Sequence, residues 1–111
     1  MYKDGQLIVS DDCTTGMVGD PECHTNCGTF RLKYKTTNRV LKGPTWEDFV
    51  YYWMPFDGGI GLHDATWRTE EEFGGTNRYG NGSHGCVNLR LATAETVYNN
   101  LEADVPIIVW E

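Results

Sequence analysis

The sequence predicts a mainly β domain, a sandwich or mixed sheet, with one helix near the C-terminus. Three observations carry this prediction. Thirteen glycines are spread over 111 residues with few long periodic stretches between them. Short apolar or alternating runs are bounded by turn residues, the pattern of strands. Only Leu91 to Leu101 repeats at helical spacing, with apolar residues at 91, 94, 97, 98 and 101. The length suits one domain spanning residues 1–111, and four Trp, six Tyr and four Phe supply a core, which argues against disorder.

Each element follows in order. Gln6 to Val9 reads as a short strand after the turn Lys3-Asp4-Gly5. Residues 11–28, with three Gly, a Pro and several Asp and Thr, read as loop. Thr29 to Lys35 alternates, with Phe30, Leu32 and Tyr34 on one face and Arg31, Lys33 and Lys35 on the other, as in a half-buried strand. Residues 36–50 read as a loop folded into a flap, because Trp46 and Phe49 are too apolar for a linker. Tyr51 to Met54 and Ile60 to His63 are strands broken by Asp57-Gly58-Gly59. Residues 68–82 are a polar, Gly-rich loop, and Val105 to Trp110 is a closing strand.

Charge narrows the functional classes. The formal net charge of −7 comes without a basic stripe, which disfavours nucleic-acid binding. No apolar run reaches the length of a membrane span.

The most informative stretch is Ser83-His84-Gly85-Cys86-Val87-Asn88. Cys86 stands apart from the cluster Cys13, Cys23 and Cys27, which invites a separate explanation. A cysteine beside a glycine at the end of a Gly-rich loop is accessible, and Gly85 allows a tight turn and close approach of substrate to the backbone. An imidazole nearby can take the thiol proton, leaving the thiolate as nucleophile. Backbone N–H groups at such a turn can meet a developing oxyanion. His63-Asp64, at the end of a strand, supplies an imidazole that can be held by a carbonyl or carboxylate at one nitrogen and accept a proton at the other. Taken singly, a buried structural cysteine and a satisfied surface histidine explain these residues about as well.

Together they resemble a known family, the L,D-transpeptidase (YkuD-like) catalytic domain. That family's signature is a His, a spacer, then Ser/Thr-His-Gly-Cys, a hydrophobic residue and Asn or Arg. This chain has His63-Asp64-Ala65, a spacer of residues 66–82, and then Ser83 to Asn88. Asp4 to Leu7, Gly28 to Phe30, Tyr52 to Phe56, Gly59 to Asp64 and Val105 to Val109 also resemble its strands, so the likeness covers the whole chain.

The resemblance implies that Cys86 attacks a donor carbonyl to form a thioester. His63 is the base, Asp64 orients it by backbone or side chain, and His84 supports Cys86. The amides of Gly85 and Cys86 bind the oxyanion. Ser83 and Asn88 brace the loop at the substrate. Arg90 meets a substrate carboxylate, although an Arg opening a helix is often simply solvated. Tyr52 and Trp53, with Trp46 and Tyr51, wall the donor channel, and Trp67 lies on its other side. The implied partners are peptidoglycan stem peptides and, as inhibitors, carbapenem β-lactams. A tetrapeptide ending in L-residue–D-Ala loses D-Ala, and a neighbouring stem's amine completes a 3→3 cross-link; with water as acceptor the enzyme would be an L,D-carboxypeptidase. No metal or organic cofactor is implied. The implied location is extracytoplasmic, at the cell wall, with an export signal outside this chain.

Two departures from the family pattern stand out. The family's first strand, before the Lys-Asp-Gly turn, is lacking. It is absent, supplied by another copy in a homodimer or strand exchange, or part of a longer protein. The loop Cys13…Cys23-His24-Thr25-Asn26-Cys27 is also unusual. An oxidising location favours a disulfide among Cys13, Cys23 and Cys27, with the pairing open. A zinc site of the three cysteines and His24 is an alternative, at a non-standard spacing. A papain-like hydrolase generally places Cys before His, the reverse of the order here. A non-catalytic wall-binding domain would keep the fold without the chemistry.

Overall fold

A computed structural model describes residues 1–110. Eight strands and one α-helix follow one another as β1 (Tyr2–Lys3), β2 (Gln6–Leu7), β3 (Gly28–Arg31), β4 (Thr36–Lys42), β5 (Glu47–Asp57), β6 (Ile60–Asp64), β7 (Val87–Leu89), α1 (Leu91–Asn100) and β8 (Pro106–Val109). Two 3₁₀ turns, Glu70–Glu72 and Asn77–Tyr79, punctuate the long loop before β7. The class is mainly β with mixed sheets and one helix near the C-terminus, as the sequence predicts. No helix among the described residues is long and apolar enough to cross a membrane.

The central sheet runs β4-β5-β6-β7, with β6 and β7 parallel and the other pairs antiparallel. Its register places the chemistry. Trp53 of β5 lies opposite His63 of β6, and His63 lies opposite Asn88 of β7. Neighbours opposite one another project from the same face of a sheet, so residues far apart in sequence form one row. Cys86 stands immediately before β7. A second sheet pairs β3 with β8. β1 and β2 form a hairpin through Asp4 and Gly5, both with positive φ (52° and 78°), the backbone that a tight two-residue turn requires. The strand before that turn, β1, spans two residues, and the Met1 ammonium donates to the Val9 carbonyl at 2.7 Å.

Two buried clusters form the core. Leu32, Met54, Val97 and Leu101 make one, and Phe56, Val87, Leu89 and Ala94 the other. Tyr52, Leu62 and Ile107 pack against both and join them into one body. Helix α1 contributes Ala94 and Val97 from a single face, as its spacing predicts, and Leu101 follows as its C-cap.

Several boundaries differ from expectation. Residues 36–50 are not loop: β4 and the start of β5 make the flap a β-hairpin, closed at Gly43–Trp46. β4 is exposed or half-exposed along its whole length, so it has no buried face to impress a period on the sequence. Thr29 to Lys35 forms a strand only to Arg31. Beyond it Leu32 is buried, while Tyr34 is exposed. Gln6 to Val9 shortens to Gln6–Leu7, Tyr51 to Met54 lengthens to Glu47–Asp57, and Val105 to Trp110 shortens to Pro106–Val109.

Candidate active site

Cys86 and His63 line one cavity of about 110 Å³, together with Leu41, Trp46, Asp48, Trp67, Arg68, Gly82, Ser83, His84 and Asn88. A larger cavity of about 350 Å³, lined by His24, Cys27 and Trp110 among others, contains neither.

His63 is only 4% exposed. Its Nδ1 lies 2.7 Å from the Asp64 backbone carbonyl. A carbonyl only accepts, so Nδ1 carries the proton and Nε2 keeps its lone pair. Burial holds the imidazole below its ordinary pKa, and the nearby Arg68 charge adds to this. The Asp64 carbonyl, the Asp64 charge and the Asp48 charge oppose it. The ring is therefore neutral at neutral pH. Trp53 and Trp67 flank it, each with ring centroids 5.9 Å away. Of the two routes expected for Asp64, the backbone carbonyl orients His63. The carboxylate instead accepts from the Tyr51 and Tyr52 amides at 3.1 and 2.8 Å.

Burial pushes the Cys86 thiol above its ordinary pKa, offset in part by hydrogen bonding to Gly61 backbone. The thiol donates to the Gly59 carbonyl at 3.8 Å. Gly85 sits at φ 124°, a backbone that favours glycine, and a Cβ there would also press on the Ile60 side chain at 3.1 Å. The Gly85 amide is engaged by Ser83 Oγ at 3.2 Å, which corrects its expected place in an oxyanion hole. Ser83 Oγ also donates to the Cys86 carbonyl, so this side chain clamps the turn that carries Cys86. His84 is exposed and stacks on Trp46, centroids 4.8 Å apart and planes 8° from parallel, which rests the flap tip on the nucleophile loop.

Other expected residues lie elsewhere. Arg90 is not at the Cys86 cavity: it pairs with Asp11 and Glu70 at the start of α1. Tyr52 does not wall the cavity either, because it packs in the core and against Tyr98, centroids 5.1 Å apart. Trp53 is buried behind His63 rather than lining the channel, and Tyr51 packs edge-on to Phe49. Trp46 and Trp67 do line it. Cys13, Cys23 and Cys27 carry free thiols in this structure. No group of three His, Cys, Asp or Glu side chains among the described residues gathers as metal ligands, so the three cysteines and His24 make no zinc site.

The loop that reads as featureless, residues 11–28, braces the turn that carries Cys86. Thr14 exchanges backbone hydrogen bonds with Asn88, and the Ser83 amide donates to Thr15 while the Met17 amide donates to Ser83. Thr25 Oγ1 donates to the Gly85 carbonyl at 2.6 Å and accepts from the Gly16 amide at 2.8 Å. A Cβ on Gly16 would sit 1.9 Å from the Cys23 carbonyl, so the fold demands glycine there. Sequence reading missed Thr14, Gly16, Thr25, Asp48 and Arg68. Only the run of small and polar residues in 14–16 hinted at close backbone approach.

A mixed sheet that carries a buried, carbonyl-oriented imidazole beside a cysteine on a clamped glycine turn defines a protein class built for a thiol and its base. The match to the family described as YkuD, L,D-transpeptidase catalytic domain, runs over residues 1–109, and the chain belongs to that family. No curated protein matches it significantly. Among solved structures, a cysteine-to-serine mutant of an Enterococcus faecium L,D-transpeptidase superposes with TM-score 0.88 at 33% identity, covering 98% of this chain and 44% of that one. The catalytic domain of the E. faecium enzyme acylated by ertapenem gives 0.82 at 33% identity, covering 98% and 85%. An L,D-transpeptidase from Mycobacterium smegmatis gives 0.78 at 26% identity, covering 97% and 51%. The chain thus spans less than half the length of the first of these.

Proposed function

We propose that this chain is a cysteine-dependent acyltransferase that cross-links peptidoglycan stem peptides. The observation that carries the reading is the His63 tautomer: Nδ1–H is spent on the Asp64 carbonyl, which leaves Nε2 free on a residue that lines the same cavity as Cys86. Such a nitrogen is a base and not an acid at rest.

In the proposed reaction, Sγ turns from the Gly59 carbonyl toward the imidazole, and Nε2 takes its proton. The sulfur forms a bond to the carbonyl carbon of the residue preceding the terminal D-Ala of a tetrapeptide stem. The carbonyl π electrons move to oxygen, facing the Cys86 amide. As that intermediate collapses, the C–N bond breaks, the imidazolium returns its proton to the departing amine of D-Ala, and a thioester remains. An amine of a second stem then loses a proton to Nε2 and displaces the sulfur, forming the cross-link and restoring the thiol. Two lower barriers replace one high one. The family and the ertapenem-acylated relative support both the chemistry and a carbapenem adduct on Cys86. Peptidoglycan as substrate places the working protein at the cell wall.

Intact mass after incubation with ertapenem tests the reading. The expected result is one adduct per chain, absent from Cys86→Ala. Purified protein with a tetrapeptide and an acceptor stem should release D-Ala and form cross-linked dimer. A folded protein that takes no adduct and releases no D-Ala would overturn the proposal.

A further inference from the structure

Two residues lining the Cys86 cavity, Arg68 and Asn88, each carry a buried polar atom without a hydrogen-bond partner, Arg68 Nε and Asn88 Oδ1. Both are unusual. Arg68 forms no ion pair with any described residue within 4.0 Å, although the chain carries sixteen acidic residues against nine basic ones. Its Nη1 donates to the Asn81 carbonyl at 2.8 Å and more weakly to the Glu72 carbonyl at 3.4 Å, which fixes the guanidinium at the cavity wall. Glu70 is taken by Arg90, and Glu72, whose charge is felt at Arg68 but forms no ion pair with it, instead receives Thr69 and Asn81. Asp48, the acid on the flap side of the cavity, does not pair with Arg68 either. Asn88 is 2% exposed and lies in the same sheet row as His63.

A partly buried guanidinium without an anion is a costly arrangement in an apoprotein. A buried acceptor without a donor is costly as well. Both costs vanish if a ligand brings a carboxylate and an N–H to this wall. The terminal residue of a peptide has that pair of groups, one atom apart across its Cα.

We infer that Arg68 is the specificity-determining residue that recognises the free C-terminal carboxylate of the donor peptide, with Asn88 Oδ1 accepting the N–H of that same terminal residue. The inference rests on the proposed reaction and adds to it the reason a terminal residue is selected over an internal one.

The test compares a tetrapeptide ending in L-Lys–D-Ala as the free acid and as its C-terminal amide. The wild-type kcat/KM ratio of acid to amide is expected to be about tenfold or more, the worth of a charge-assisted hydrogen bond. In Arg68→Gln the ratio falls toward unity, with the change mainly in KM for the acid. Arg68→Lys, which keeps the charge and loses the planar fork, retains part of it. A variant that merely loosened residues 68–82 would lower both substrates together and leave the ratio intact, which would overturn the proposal, as would a wild-type ratio near one. Binding of both peptides to Cys86→Ala separates this from failure of the reaction itself. If wild type turns over neither peptide, tighter binding of the acid that is lost in the Cys86→Ala, Arg68→Gln double variant still supports the carboxylate site. Equal binding of acid and amide overturns it.

Discussion

The imidazole of His63 is held neutral mainly by burial, and this fixes how the protein responds to acid. Its pKa lies below the ordinary value of 6.5, so the unfolded chain binds a proton at this residue more readily than the folded one. Stability from this group is therefore complete above about pH 6.5 and is lost as pH falls below it. The rate of Cys86 acylation should follow the same group in the folded protein. It is expected to stay level through neutral pH and to decline only below the usual histidine range. His63→Ala should abolish that limb and lower the rate by about a hundredfold or more, as loss of a general base does. Stopped acylation reactions with ertapenem across pH, read by mass, check both. A limb that persists in His63→Ala would remove His63 from the role. The pair Cys86 and His63 was legible in the sequence through its resemblance to a family signature, since each residue taken singly reads as well as a structural one. Arg68 was not, because a lone arginine in a polar, Gly-rich loop has the look of a solvated side chain. Its meaning lies in the missing partner, which only three dimensions show.

At the scale of elements, the site is a turn held from two sides. Ser83 clamps it from within, and the 14–25 segment clamps it from outside through Thr14, Thr15, Met17 and Thr25. Thr25 has the clearest part, since its hydroxyl joins the Gly16 amide to the Gly85 carbonyl. Thr25→Val preserves shape and removes both bonds, leaving partly buried backbone groups unpaired. A loss of about 1–3 kcal/mol in stability is expected, with a drop in Cys86 acylation that exceeds the loss of folded protein. Urea unfolding and adduct formation on the same samples measure the two effects, and unchanged acylation would show that the outer clamp is dispensable. The strands that escaped sequence reading share a cause. β4 is solvated on both faces, and β7 is three residues long and buried throughout, so neither imposes the alternation that betrays a strand. The helix and the β5–β6 hairpin were legible because one has a single buried face and the other a Gly-Gly turn.

Across the whole molecule, the site depends on a core that closes only when the last strand pairs with β3, far back in the sequence. β8 pairs with β3, joining Val109 to Gly28 and Ile107 to Phe30. Ile107 then packs against both buried clusters, one carrying the helix residue Val97 and the other Val87 and Leu89 of the strand that follows Cys86. A closing strand that touches both clusters makes the helix, the central sheet and the nucleophile's strand one cooperative unit. Ile107→Ala should therefore cost about 2–4 kcal/mol, the usual range for truncating a large aliphatic side chain in a core. The loss should also be shared. Tryptophan fluorescence, which reports Trp53 and Trp67 around His63, and far-ultraviolet circular dichroism, which reports α1, should lose signal at the same guanidinium concentration in wild type and in the variant. If the site's fluorescence changed at lower denaturant than the helix signal, the clusters would be separable, and the nucleophile loop would owe its geometry to the 14–25 clamp rather than to the closing strand. Coincident curves with a common shift would instead show that presenting Cys86 is a property of the folded domain as a unit.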